Sequence, residues 1–204
     1  MIRGQGRLLV LDASVLINVG ATGFAREILE ALVEHAVVVG PAHDEVRGDP
    51  RSGARTSNFL GELVEEGILT RVELSGEQAE LFVDLAGAPA PDDLGDGEAA
   101  TVAFGAAAGL QLALDDGKAR RVSSARFPGC QLSSSIDLLR RESTRLALGA
   151  DRLTTAVHDA LMFARMRVMV PDFEWVIGLI GVERARGCPG LRRALKSLPI
   201  SQSE

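Results

Sequence analysis

Tyrosine is absent from this chain, tryptophan occurs once and phenylalanine seven times in 204 residues. Proteins that hold nucleic acid by stacking bases on exposed rings need more aromatic surface, so an RNA-recognition sheet or a single-strand-binding barrel is a poor template. Cysteine is almost as scarce. Cys130 and Cys188 stand far apart and share no metal-ligand spacing, which sets aside a disulfide framework and a zinc site and leaves cytosolic thiols as the expectation. Long apolar runs are missing too. Nothing approaches the ~20 residues that cross a bilayer, and the apolar run at 8–11 stops at Asp12, too short for a secretory leader. A cytoplasmic protein with no membrane partner is expected.

With 46% hydrophobic and 25% charged residues, the chain can bury a core, and its length suits one α/β domain with an appended segment. Charge is distributed unevenly. Residues 1–116 carry 7 Lys/Arg against 20 Asp/Glu, net −13, whereas residues 117–204 carry 15 against 8, net +7. Either the two halves pair their surfaces, or an acidic, metal-collecting pole lies beside a basic, phosphate-binding rim.

Short apolar runs alternate with helical patterns through the first part of the chain. Strands are expected at 7–11, 37–39, 68–74, 111–114 and near 130–132. Helices are expected at 24–36, 58–66, about 77–85, 98–108 and from Lys118 onward. Ser75 to Gln78 has capping-box spacing, and Asp96 reads as the N-cap of the helix that follows it. Strands apolar on both faces and separated by helices imply a mostly parallel central sheet flanked by helices. Beyond Ser134 the pattern is helical, over 135–148, 155–168 and 173–186. Met162, Met166 and Met169 there read as a core stripe. The polar tail at 197–204 is expected to fray.

Ligands of open parallel sheets bind beyond the carboxyl ends of the strands. Asp12 follows the first strand directly, Glu45 lies shortly after the second, and Asp115 and Asp116 follow the run at 112–114. Each acid alone has an ordinary reading as a helix N-cap or first-turn residue. Glu98 is more telling, because it is the only charge in the small, apolar segment 98–108, and a lone buried carboxylate is costly unless paired or bound to metal. Acids from separate strand ends would repel one another, and a divalent cation resolves the conflict. Oxygen-only ligands favour Mg²⁺ or Mn²⁺. His43 and His158 read as structural residues.

The segment LLVLDASVLI at 8–17 resembles the opening strand and first acid of PIN domains, the fold of VapC-type toxin ribonucleases. PAHDEV at 41–46, LGDGEA at 94–99 and LDDGKAR at 114–120 resemble the second, third and fourth motifs, in the family's order. The resemblance spans residues 8–140. It implies a three-layer PIN-like fold over 1–140, with 141–204 a helical extension packed on the same domain, serving as oligomer surface, antitoxin groove or substrate platform. It also implies a metal-dependent endoribonuclease, the toxin of a type II toxin–antitoxin pair, acting as a homodimer on RNA. Asp12, Glu45, Glu98 and Asp116 would be the catalytic acids, with Asp115 competing for the fourth place and for metal. Ser14 would support the first acid or cap a helix. Arg47, Arg51 and Arg55 after the second motif, and Lys118, Arg120 and Arg121 after the fourth, would rim the site as phosphate contacts or ordinary surface cations. Two alternatives stand beside this reading. One is a catalytically silent PIN-fold module that binds RNA or protein. The other is an aspartyl-phosphate phosphohydrolase or receiver-like phospho-acceptor, against which Ser14 counts by standing where such phosphatases carry a second acid.

Overall fold

A computed structural model describes residues 7–51, 58–191 and 195. Arg55 and the tail at 197–204 lie outside these residues. Five strands, β1 (Leu8–Leu11), β2 (His35–Val39), β3 (Leu69–Val72), β4 (Gln111–Ala113) and β5 (Leu132–Ser133), form one sheet of order β3-β2-β1-β4-β5. Every pairing is parallel, with Val10 opposite Val37 on one side and Leu112 on the other. Successive strand residues point to opposite faces, so Leu9 and Leu11 join one core cluster while Val10 joins a second. Those two clusters are the two interfaces of a three-layer α/β sandwich, consistent with a PIN-like architecture.

On the first face pack α1 (Ala13–Ala21), α2 (Ala25–Glu30), α4 (Phe59–Glu65) and the C-terminal helices. α5 (Glu77–Ala86), α6 (Asp96–Ala107) and α7 (Gly117–Arg126) cover the second, and α3 (Gly40–Glu45) contacts α6. α6 lies flush on the sheet because Gly105 has no side chain: a β-carbon there would sit 2.0 Å from Leu112. Its N-cap is Gly95, and Asp96, expected in that role, is instead the first helical residue.

Helix boundaries depart from the sequence pattern where the sheet or a glycine intervenes. α2 ends at Glu30 because the chain must extend in time for His35 to pair beside Leu8. The C-terminal helices are α8 (Ser135–Arg140), α9 (Glu142–Phe163, bent at Gly149), α10 (Phe173–Ile180) and α11 (Val182–Gly187). α10 and α11 are separated at Gly181, whose φ of 82° no other residue type adopts cheaply. Since α9 stops at Phe163, the three methionines form no stripe: Met166 is buried, whereas Met162 and Met169 are 40% and 48% exposed. Residues of α9, α10 and α11 share a single core cluster with β1 and α1.

Candidate metal centre

β1 and β4 are neighbours, yet the helices that follow them lie on opposite faces: Val15 of α1 is in the first core cluster, and Ala119 and Val122 of α7 are in the second. Chains leaving adjacent strands in opposite directions open a crevice at their carboxyl ends. The crevice here is a cleft of about 350 Å³ lined by Ser14, Asn18, Glu98, Asp115 and Asp116 together with residues 164–167.

Asp12 stands at the carboxyl end of β1, two residues before Ser14 of the lining. It caps α1, is only 3% exposed, and its Oδ2 accepts hydrogen bonds from the Ser14 amide (3.1 Å) and hydroxyl (2.6 Å). Ser14 therefore supports the first acid from inside the helix, and the cap is Asp12 itself. Asp12 Oδ1 is buried with no hydrogen-bond partner. Burial raises the pKa of this carboxyl, the Ser14 hydrogen bonds and the nearby Ala13 amide, which falls short of hydrogen-bond geometry to Oδ1, oppose the rise, and the charge of Glu45 adds to it.

Glu98 sits in the first turn of α6 with Oε2 accepting from the Gly95 amide at 3.2 Å. Its pKa is raised by burial and then by the charges of Asp116 and Asp12, with the Gly95 bond and Lys118 opposing. Asp116 caps α7 through one oxygen, Oδ1, which accepts from the amides of Lys118 (2.7 Å) and Ala119 (3.0 Å). Glu45 is exposed at the end of α3, and its Oε1 accepts from the Gly97 amide at 2.8 Å. Gly97 makes that approach possible, because a β-carbon there would lie 2.6 Å from Oε1 and 2.7 Å from Oε2.

Asp115 plays a different part from its neighbour. Its Oδ1 accepts from the Ser135 amide (2.8 Å), and its Oδ2 from Asn18 Nδ2 (2.7 Å) and the Ser135 hydroxyl. Three donors from α1 and α8 occupy it, whereas Asp116 accepts only from the α7 amides, through one oxygen; both acids line the cleft. Asn18 and Ser135, both buried, were missed in the sequence. The one signal for Asn18 is an amide amid the apolar residues of α1.

The basic residues divide in the same way. Arg47 is exposed beyond Glu45, and Lys118 lies near Glu98 with its Nζ 3.6 Å from Asp93. Arg120, expected at the rim, turns inward to donate to the carbonyls of Leu114 (2.9 Å) and Ser133 (2.7 Å), tying together the ends of β4 and β5. Arg121 is held by Asp92 (2.7 Å) and the Pro91 carbonyl (3.0 Å). Arg51 is held by the Thr22 carbonyl and Asp159, both at 3.1 Å. These three guanidiniums are structural ties. His43 and His158 each sit beside the next residue's carboxylate, Asp44 and Asp159.

Among the described residues no three His, Cys, Asp or Glu side chains stand close enough together to hold a metal ion between them as they are placed. The acids are electrostatic neighbours around a cleft. Their donor chemistry nevertheless fits a hard divalent cation: all are carboxylates, Asp12 keeps a buried oxygen without a donor, and Glu98 feels the charges of both Asp12 and Asp116. Compared with known proteins, the chain matches no family model, no curated protein and no solved structure.

Proposed function

We propose that this protein is a divalent-metal-dependent endoribonuclease of the PIN type. The observation that carries the reading is Asp12 Oδ1, a buried carboxylate oxygen without a donor at the β1–β4 crevice, in the company of Glu98 and Asp116. A buried anion left in that state needs a proton or a cation.

Asp12, Glu98 and Asp116 would hold Mg²⁺ or Mn²⁺. When bound, the cation supplies Lewis-acid chemistry, activating water for in-line attack on phosphorus and neutralising charge on the departing oxygen. Ser14 fixes the orientation of Asp12 through Oδ2 and would leave Oδ1 for a cation. The Gly97 amide anchors Glu45 at Oε1, which leaves Oε2 to take up the proton released from water. Lys118 tempers the charge of Glu98.

Aspartyl-phosphate chemistry is less well supported. The sheet order β3-β2-β1-β4-β5 differs from the 2-1-3-4-5 order of receiver domains, which counts against a receiver-like phospho-acceptor alone, while against the phosphohydrolase stands Ser14, whose hydroxyl binds Asp12 Oδ2 where such phosphatases carry a second acid. The resemblance extends the proposal to the toxin of a type II toxin–antitoxin pair, a cytoplasmic homodimer restrained by a cognate antitoxin. In keeping with this, no helix among the described residues is long and apolar enough to cross a membrane.

Single-stranded RNA incubated with wild-type protein and with Asp12→Asn, in Mg²⁺, in Mn²⁺ and in excess chelator, tests the proposal. The expected result is cleavage by the wild type alone, abolished by chelator, with the variant lower by on the order of 100- to 1000-fold. Cleavage of equal rate in both proteins, or none in either metal, contradicts it.

A further inference from the structure

Residues 164–167, the loop leaving α9, line the acidic cleft together with Ser14, Glu98 and Asp116. This loop is anchored at its middle. The Met166 amide donates to the Ala160 carbonyl at 3.1 Å, and the Met166 side chain, 1% exposed, is buried in the core shared with α1. With Met166 drawn inward, Arg165 and Arg167 are left exposed on either side of it while both line the cleft. Arg165 holds a φ of 55°, a conformation unfavourable for a side chain of its size. A guanidinium nitrogen of Arg167 lies 3.9 Å from where a β-carbon would stand on Gly117, the residue after Asp116.

Most other arginines of the described chain are committed, as Arg121, Arg140 and Arg141 are to carboxylates and Arg120 is to carbonyls. Arg165 and Arg167 have no ion pair or hydrogen bond among the described residues, although acids line the same cleft. Guanidiniums held beside carboxylates but not paired to them remain available to phosphate, whose oxygens they engage in bidentate fashion.

We propose that Arg165 and Arg167 form a phosphate-binding rim that seats an RNA backbone across the acidic cleft. The inference rests on the endoribonuclease reading. It assigns the C-terminal extension a substrate-binding role and accounts for how a chain of net charge −6 holds a polyanion: the cations that matter are local.

The test is binding of a mixed-sequence single-stranded RNA oligonucleotide by Asp12→Asn protein in Mg²⁺, followed by fluorescence anisotropy over a salt series. Arg165→Ala/Arg167→Ala is compared with the charge-matched Arg145→Ala/Arg186→Ala, whose arginines pair with Glu142 and Glu183 on the extension. The expected result is weaker binding and a plot of log K against log salt shallower by about 1.4, or about 0.7 per lost phosphate contact, with the control unchanged. Arg165→Lys/Arg167→Lys keeps the slope and loses affinity, which separates lost bidentate contact from a misfolded loop. In cleaving protein the alanine pair raises KM with kcat nearly unaffected. An unchanged slope and KM overturn the proposal. So does tighter Mn²⁺ binding with RNA affinity intact, which would make the arginines counter-charges of the acids. If the wild type cleaves no RNA while binding still depends on the two arginines, the nuclease reading fails and the phosphate rim stands.

Discussion

Asp12 and Glu98 hold protons more tightly than free carboxyl groups do, chiefly because burial penalises their charged forms. At these two groups the metal-free folded state therefore binds more protons than the unfolded state just above the ordinary carboxylate pKa, opposite in sign to the lowered carboxyls of Glu34, Asp44, Glu66 and Glu142. The stability Asp12 and Glu98 contribute is complete below that ordinary value and is lost as pH rises through their raised folded values. Asp12→Asn removes the Asp12 part of that loss. Urea denaturation of metal-free protein from about pH 4 to neutrality is expected to show the variant losing less stability than the wild type over the interval, and parallel curves would contradict the assignment. Gly97→Ala probes the neighbouring acid. The added methyl displaces Glu45 from the Gly97 amide, at the cost of a charge-assisted hydrogen bond worth about 1.5 kcal/mol, or roughly tenfold in cleavage rate. Thermal unfolding of the same variant should move little, because alanine favours the helix by about 0.5–1 kcal/mol over glycine. A large fall in melting temperature with full activity would show that Glu45 is only structural.

At the scale of elements, Asp115 binds β4, α1 and α8 together through Asn18 and Ser135. Asp115→Ala would take the shared acceptor from two buried polar side chains and leave them only the bond from Asn18 Nδ2 to Ser135 Oγ at 3.2 Å, with an expected cost of about 2–3 kcal/mol in chemical denaturation. A cost under about 0.5 kcal/mol, the scatter of neutral surface changes, would show the network to be dispensable. These elements also show what the sequence could and could not reveal. All five strands and α4 to α7 were legible, since strands buried on both faces read as continuous apolar runs. α1 and α3 were not, because the motif residues from Asp12 to Ile17 and from Pro41 to Val46 contain caps and turns that obscure a short helix. The acids at the strand ends were legible as a set, but the division of labour between Asp115 and Asp116 was not, since it depends on Ser135, which is distant in sequence. Arg165 and Arg167 were hidden for a similar reason. The helical periodicity runs on to 168, whereas α9 ends at Phe163 once Met166 turns into the core.

For the whole molecule, the pairing of surfaces accounts for part of the divided charge. Lys118, Arg121, Arg126, Arg141 and Arg152 of the basic half pair with Asp93, Asp92, Asp84, Glu34 and Glu27 of the acidic half. Most of these pairs are exposed and contribute little individually. What they leave over is an acidic cleft at the switch point of the sheet, with two uncommitted arginines across it. The central claim, that acids far apart in sequence share one cation there, is tested most directly by soaking crystals in Mn²⁺ and recording anomalous diffraction. The account predicts an anomalous peak within coordination distance of Asp12 Oδ1 and of carboxylate oxygens from Glu98 and Asp116, and no such peak in Asp12→Asn. A cleft without a peak at saturating Mn²⁺, with Asp12 still buried and satisfied by the protein alone, would contradict it.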